Sequence, residues 1–242
     1  MNKIANSDKQ QTATEFFDSW ATYQKIITNN YMKHDELFMQ FGKLLNSLPE
    51  PEQTLKLLDL GCGDAFYAAK ILSTLPKIEY FGIDSSKQAL NAAKKNLIDN
   101  QISQASLICG DLATILDEMA LTSQKFDIIL SSFCLHHYQE SEKLIIYQKI
   151  KKVLAENGSF IMIDLFREET QSRHDYLSTT MEKFYSNLPA LTQSEISSLR
   201  EHVESSDYPQ TYSETQEAIT SLGFKNMECC FSIDHYALYC AR

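Results

Sequence analysis

The chain has 242 residues, of which 43% are hydrophobic and 22% charged, and its formal net charge is -10. This composition is typical of one globular domain that buries a substantial core. The acidic balance disfavours a nucleic-acid partner, because neutralising phosphates requires a basic face. No apolar run is long enough to span a bilayer, and the polar start lacks the apolar segment of a signal peptide. We therefore expect no membrane partner and a cytoplasmic location.

The six cysteines form no C-x-x-C pair and show no metal-ligand spacing. Most lie inside apolar runs, where reduced cysteine behaves as a small hydrophobic residue. The cysteine pattern therefore predicts no metal site and agrees with a reducing compartment.

The N-terminal region carries a helical pattern of apolar residues from 14 to 48, after a polar stretch over residues 1–12. Asn29-Asn30 marks a break between two helices, and the proline-containing segment 48–54 predicts a loop. Two helices are therefore expected before the first strand.

From Leu55 onwards, short apolar runs alternate with amphipathic segments. The runs cover 55–60, 79–84, 105–111, 126–133 and 158–166, and the helical patterns cover 65–74, 86–99, 112–120 and 141–155. Strands that alternate with helices indicate right-handed crossovers and a mostly parallel α/β sheet. The nearly continuous apolar character of the runs indicates strands covered on both faces.

The alternation stops after Phe166. Residues 167–222 are polar with helical patterns, and Thr192 with Glu195 forms a capping-box pattern for one helix. Two β-prone runs close the chain, at 226–233 and 235–242, and their proximity predicts an antiparallel hairpin.

The segment LLDLGCGDAFYAAKIL (57–72) reads as a strand, a turn and a helix. Gly61 and Gly63 permit backbone conformations closed to other residues, and the helix N-terminus after them offers free N–H groups. Alone this pattern is weak evidence of nucleotide binding. Two later acids strengthen it, because Asp84 and Asp111 end the next two runs and an acid at the second strand tip suits ribose hydroxyls.

The ordered series LLDLGCGD, YFGIDSS, CGDL, FDIILSSFCLHHY and LAENGSFIMID resembles the class I S-adenosylmethionine-dependent methyltransferases. The resemblance covers about Leu55 to Gly158 and the closing hairpin. It implies a Rossmann-like, doubly wound, seven-stranded and mostly parallel sheet, with the last antiparallel strand between two parallel ones. It also implies S-adenosyl-L-methionine as the cofactor.

One position departs from the family pattern. Ala65 stands where the first motif often has a third glycine, and alanine is small enough for close helix–sheet contact. In a dinucleotide-binding motif the third glycine would fall at Phe66, which a pyrophosphate-binding turn tolerates poorly. An NAD-dependent oxidoreductase is therefore the weaker alternative, and a non-catalytic cofactor-binding regulatory module is the other.

The resemblance implies roles for residues at the strand ends. Asp59 would reach the ammonium group of the cofactor, Asp84 the ribose and Asp111 the adenine. Helix capping is the alternative for Asp59 and Asp84. The full set of implied cofactor-binding residues is Asp59, Gly61, Cys62, Gly63, Asp84, Ser85, Asp111, Leu112, Ser131 and Ser132.

The acceptor side is less defined. His136, His137 and His34 are candidate general bases for an acceptor hydroxyl or amine. For the adjacent pair we favour packing and helix capping, and two neighbouring histidines without an acid motif are poor evidence for a metal.

Similar methyltransferases use N-terminal helices as a lid, so residues 1–50 are expected to cover a methyltransferase domain at 51–242. A helical insertion is expected at about 167–222. The candidate substrate-binding residues are Tyr23, Tyr31, Met32 and Arg167. For Arg167 the role is pairing with a substrate carboxylate, against the commoner surface arginine.

These features together predict methyl transfer to a small-molecule acceptor by in-line displacement. A donor that is already activated needs alignment more than a catalytic triad. The acidic net charge and the expected enclosure favour a small molecule, and a protein or peptide acceptor stays open as an alternative.

Overall fold

The computed structural model describes residues 20–48, 53–75 and 77–242. Two helices, α1 (Trp20–Thr28) and α2 (His34–Asn46), confirm the predicted break at Asn29-Asn30. The predicted polar start, residues 14–19 of the predicted helix and most of the predicted loop 48–54 lie outside the described residues. Buried residues of α2 recur at helical spacing, and they are Leu37, Phe38, Phe41 and Leu45.

One seven-stranded sheet forms the centre of the molecule, in the order β3-β2-β1-β4-β5-β7-β6. Strands β1 to β5 pair in parallel, whereas β7 pairs antiparallel with both β5 and β6. The strands are β1 (Leu55–Leu60), β2 (Ile78–Asp84), β3 (Ala105–Cys109), β4 (Phe126–Ser132), β5 (Leu154–Leu165), β6 (Met227–Ile233) and β7 (Tyr236–Ala241). The predicted Rossmann-like sheet and its C-terminal hairpin are confirmed.

The largest boundary error lies at the fifth strand. The fifth strand begins at Leu154 rather than 158, because Leu154 pairs with Phe126 ahead of a register shift. The helix before it therefore ends at Val153.

Helices cover both faces of the sheet. They are α3 (Phe66–Leu72), α4 (Lys87–Asp99), α5 (Leu112–Leu121) and α6 (Glu140–Val153). Alternation along β1 shows the two layers, since Leu57 packs with α2, α3 and α4 whereas Leu58 packs with α5 and α6. The prediction of strands covered on both faces holds for β1, β4 and β5. It is wrong for β3, an edge strand in which no residue is buried.

The segment after β5 is helical, as predicted. It contains α7 (Arg173–Asp175), a π-helix (Tyr176–Met181), α8 (Glu182–Tyr185), α9 (Gln193–Ser206) and α10 (Tyr212–Ser221). The capping box at the start of α9 is confirmed, because Thr192 Oγ1 accepts from Glu195 N–H and Glu195 accepts from Thr192 N–H. Among the described helices, none combines the length and the apolar character that crossing a bilayer requires.

The insertion is attached to the N-terminal helices. Lys25 Nζ donates to Glu195 at 2.7 Å, which holds the pKa of that carboxyl at about 2. Tyr31 Oη accepts from Ala190 N–H at 2.9 Å. The first contact joins α1 to α9, and the second joins the segments that precede α2 and α9. That residues 1–50 act as a lid stays a prediction.

Candidate active site

A cavity of about 320 Å³ lies at the carboxyl ends of the strands. The sheet order reverses between β1 and β4, and ligands of open α/β sheets bind at such a reversal. The residues that follow four strands line the cavity: Gly61 to Ala65 after β1, Asp84 to Ser86 at the end of β2, Gly110 to Leu112 after β3 and Ser132 to Cys134 at the end of β4.

The turn after β1 depends on two glycines. Gly61 and Gly63 have φ values of 67° and 53°, in the left-handed region that favours glycine. A Cβ on Gly61 would collide with Cys134 Sγ. A Cβ on Gly63 would point towards the hydroxyl of Tyr23, another cavity-lining residue. The turn therefore keeps its backbone close to the cavity.

Asp84 is held by the backbone. Its Oδ2 accepts from Gly63 N–H and its Oδ1 from Ser86 N–H, each at 2.8 Å. Burial raises the pKa of this carboxyl, against those two hydrogen bonds. The capping alternative fails, because the Ser86 hydroxyl caps α4. Each Asp84 oxygen keeps a lone pair, so the pair suits two adjacent hydroxyls.

Asp59 is buried at the end of β1. Tyr80 Oη donates to its Oδ2 at 2.8 Å, whereas Oδ1 has no hydrogen-bond partner among the described residues. Burial raises the pKa of Asp59 to about 7. It does not cap α3, since the side chain that accepts from Phe66 N–H there is Asp64. A buried oxygen that lacks a donor beside the cavity suits an ammonium group.

Asp111 has a structural task as well as a place on the cavity. Its Oδ1 accepts from the N–H and the hydroxyl of Thr114, which caps α5. Leu112 lines the cavity beside it. A contact between Asp111 and adenine stays a prediction.

His34 opens α2 and lies in an aromatic stack. Its ring centroid is 4.4 Å from that of Phe133 and 5.3 Å from that of Tyr67. Burial lowers the pKa of His34 to about 4, so the ring is a weak base. It lines the cavity, and its role as a general base stays a prediction.

His136 and His137 lie on a 3₁₀ turn (Leu135–His137) directly after β4. His136 Nδ1 hydrogen-bonds to Asp164 Oδ1 at 2.5 Å, and Asp164 Oδ2 accepts the His136 backbone N–H. Burial alone would lower the pKa of His136, but the carboxylates of Asp164 and Asp207 outweigh it and the pKa is raised. His136 is therefore buried in the interior and at the same time paired with the carboxylate of Asp164.

A second acid, Asp207 from the insertion, lies beside the two histidines. Asp207, just after α9, lies with its Oδ1 3.1 Å from His137 Nδ1. The Nε2 atoms of His136 and His202 are each 3.9 Å from the same oxygen. Sequence reasoning missed Asp164 and Asp207 and gave His202 no role, because these residues have no local spacing to His136 and meet only in the fold.

A family model described as a methyltransferase domain matches residues 51–225. The chain belongs to the class I S-adenosylmethionine-dependent methyltransferases. The residues at the strand ends fit that cofactor, through the donor-free Oδ1 of Asp59, the two oxygens of Asp84 and the open turn at Gly61 and Gly63.

Relatives and solved structures agree with the assignment. The chain is 24% identical over 196 residues to the carboxy-S-adenosyl-L-methionine synthase of Campylobacter hominis, with 79% of this chain and 78% of that protein covered. The plantazolicin methyltransferase BpumL, solved in complex with SAH, has a TM-score of 0.67 and 16% identity over 97% of this chain and 95% of its own. A putative O-methyltransferase from Nostoc punctiforme has a TM-score of 0.58 and 19% identity, and the 83% of this chain that aligns spans only 54% of that protein.

These findings favour the methyltransferase over the nicotinamide-dependent alternative. All the implied cofactor residues except Ser131 line the cavity: Asp59, Gly61, Cys62, Gly63, Asp84, Ser85, Asp111, Leu112 and Ser132. Ser131 is fully buried inside β4, beside Met162 of β5. Successive side chains of a strand alternate between faces, so Ser131 and Ser132 do not share the cavity.

Two predicted substrate residues are placed elsewhere in the methyltransferase. Tyr23 and Met32 line the cavity, but Tyr31 does not, and its hydroxyl joins the insertion through Ala190. The guanidinium of Arg167 donates to Glu214 and to two backbone carbonyls. The N–H groups of Arg167 are thus bonded within the protein. Among the residues that the structure describes, Arg167 is not one of those that line the cavity.

Proposed function

We propose that this methyltransferase transfers a methyl group to a small-molecule acceptor by in-line displacement. The observation that carries the proposal is the single continuous cavity that the cofactor-side strand ends share with an apolar wall and a histidine cluster. The wall comes from α1, α2, the π-helix and α9, through Ile26, Ile27, Phe38, Met181, Leu199 and Val203.

We assign cofactor binding to one end of the cavity and acceptor binding to the other. Asp59 holds the ammonium group and Asp84 the ribose hydroxyls, and the bound cofactor supplies a methyl group activated by its sulfonium. The strand ends therefore fix the donor, and the lid and insertion fix the acceptor. Holding the two in line contributes roughly 7–11 kcal/mol to lowering the barrier in favourable cases.

The apolar wall favours an acceptor with a hydrophobic body and one nucleophilic polar atom. We assign the hydrogen bond to that atom to His136 and His137, which lie beside the end of β4. His34 is a weak base, so its proposed role is to orient the acceptor against Phe133. A cavity of about 320 Å³ is small for a folded protein segment or a nucleic-acid strand.

The test is release of S-adenosylhomocysteine in the presence of acceptor panels. Phenols, carboxylic acids, amines and thiols with apolar bodies form one panel, and peptides and RNA form two others. We expect turnover with members of the small-molecule panel, lost in His136→Gln and kept in the exposed control His174→Gln. Turnover confined to peptides or RNA would overturn the small-molecule assignment.

A further inference from the structure

The group of His136, His137 and Asp207 has the arrangement of a metal-ligand set. One ligand atom from each of the three residues lies within 4.8 Å of the others. Asp207 Oδ1 is 3.1 Å from His137 Nδ1 and 3.9 Å from His136 Nε2. Metal–nitrogen and metal–oxygen bonds of about 2.0–2.1 Å put the ligand atoms of a tetrahedral site about 3.3 Å apart. The two separations to Asp207 Oδ1 lie on either side of that value, so small side-chain shifts bring both pairs to bonding positions.

The surroundings of His136 supply a second observation. Asp164 Oδ1 accepts the hydrogen bond of His136 Nδ1, so Nε2 is the ring nitrogen left to ligate a metal, and it faces Asp207 Oδ1. A carboxylate behind a histidine is the usual support of a metal-ligating imidazole, because it fixes the ring orientation and the tautomer. Asp164 is itself fixed, since it also accepts the backbone N–H groups of Leu135 and His136.

Charge and access agree with a cation. Asp164 and Asp207 are buried beside the histidines, and their two carboxylates outnumber the one ammonium group of the buried Lys143, which is bonded to the backbone carbonyl of Tyr208. His136, His137 and Asp207 line the cavity, so an ion between them faces the space proposed for the acceptor. His202 Nε2 lies 3.9 Å from Asp207 Oδ1 as a further nitrogen next to the group.

We propose that His136, His137 and Asp207 bind one divalent transition-metal ion, with a coordination position open to the cavity. Two imidazoles and one carboxylate suit Zn²⁺, Fe²⁺ or Mn²⁺, whereas Mg²⁺ and Ca²⁺ prefer oxygen ligands alone. Binding displaces the proton between His137 Nδ1 and Asp207 Oδ1 and releases it to solvent. The expectation of no metal came from cysteine spacing and from the apparent lack of an acid near the histidine pair, and the fold supplies that acid.

With an ion bound, both ring nitrogens of His136 are taken, and the ion rather than His136 would meet the acceptor. The proposal does not depend on which acceptor is used, so it is tested by binding. Protein freed of metal by a chelator is titrated with Zn²⁺, Mn²⁺ and Mg²⁺ separately by calorimetry, and with Co²⁺ by visible absorption. We expect one equivalent of Zn²⁺ or Mn²⁺, visible bands with Co²⁺ and no binding of Mg²⁺. Asp207→Asn and His137→Gln should weaken binding at least 100-fold, and Asp164→Asn about 10- to 100-fold. His174→Gln, an exposed histidine, is the matched control.

Each variant is also unfolded with and without S-adenosylhomocysteine, because a retained ligand-induced shift shows that the fold and the cofactor site are intact. Loss of metal binding with that shift retained supports the site. No metal binding by the wild type, or equal binding by all variants, would overturn it. Metal binding without any methyl acceptor would leave the metal site standing and count against the proposed function alone.

Discussion

The two ends of the cavity are built differently. The cofactor end uses residues that follow β1 and β2 directly, and it holds them through the backbone, as the Gly63 and Ser86 N–H groups hold Asp84. The acceptor end joins His136, Asp164 and Asp207, which come from β4, β5 and the insertion. A local motif therefore encodes the donor site, whereas the acceptor site exists only after the chain has folded.

The largest effect that separates the two ends is on turnover. His136→Gln removes a group proposed to hydrogen-bond the acceptor, and we expect kcat to fall by roughly 10²–10⁴-fold. Because His136 lies on the acceptor side, affinity for S-adenosylhomocysteine should stay within about twofold. Steady-state kinetics and calorimetry on the same preparation measure both quantities. A parallel loss of cofactor affinity would show that the two ends are not separable.

At the cofactor end, we expect the free energy of unfolding to depend on pH through Asp59. Burial raises its pKa to about 7 in the folded chain without ligand, above the usual value of 3.8. The folded state then binds more protons than the unfolded state between these values, so the free energy of unfolding falls as pH rises from about 4 to 7, by up to about 4 kcal/mol. Denaturant unfolding across this range measures the slope.

Asp59→Asn is the matched variant for that titration. It should remove this contribution to the slope, and it should also abolish the rise in S-adenosylhomocysteine affinity that the wild type shows as Asp59 ionises through pH 7. A wild-type slope equal to that of Asp59→Asn would contradict the burial-driven shift.

The turn after β1 allows a sharper test of its packing. Gly61→Ala meets both a left-handed backbone and Cys134, and we expect it to lower the free energy of unfolding by roughly 2–5 kcal/mol. Gly223→Ala is the control, because Gly223 has φ +84° and no atom within 4 Å of an added Cβ. Its loss should be confined to the backbone cost, about 1–2 kcal/mol.

A double variant isolates the collision. Gly61→Ala with Cys134→Ala should recover stability relative to the sum of the single changes, since the neighbouring sulfur is removed. Strict additivity would mean that the Cys134 sulfur contributes nothing, and that the backbone conformation and the Cys134 Cβ, 2.8 Å from the added Cβ, account for the loss.

The smallest expected effect lies where the start of α9 contacts α1. Thr192→Ala removes the N-cap of α9, and we expect a loss of about 1 kcal/mol in unfolding free energy. Cofactor affinity should not change, because Thr192 lies outside the cavity lining. Chemical denaturation compared with Thr220→Ala, which removes an exposed hydroxyl near the end of α10, gives the matched control.

The sequence predicts much of the fold because its signals are local. The runs at 55–60 and 126–133 match β1 and β4 within a residue, since strand composition and helix caps are written in neighbouring positions. The start of β5 is different, because Leu154 becomes a strand residue only by pairing with Phe126. Tertiary pairing of this kind leaves no local trace.

The difference between local signals and long-range contacts also explains which site residues the sequence predicts. Asp59 and Asp84 are placed on the cavity by the ends of their strands, as predicted. Arg167 lies two residues after the end of β5, yet its guanidinium pairs with Glu214, 47 residues away in the chain. Asp207 likewise comes to His137 from 70 residues away. Residue type and local spacing cannot specify such long-range partners.

The central claim is that the strand ends bind the S-adenosyl cofactor through Asp84. Thermal unfolding without ligand and with S-adenosylmethionine, S-adenosylhomocysteine or NAD, for wild type and Asp84→Asn, tests it most directly. Ligand at about 100 times its dissociation constant stabilises by roughly 2.7 kcal/mol, which raises the midpoint of a domain of this size by about 5–10 °C. The account predicts that rise with the two sulfur ligands, its loss in Asp84→Asn and its retention in the exposed control Asp99→Asn. A rise only with NAD, or an undiminished rise in Asp84→Asn, would contradict it.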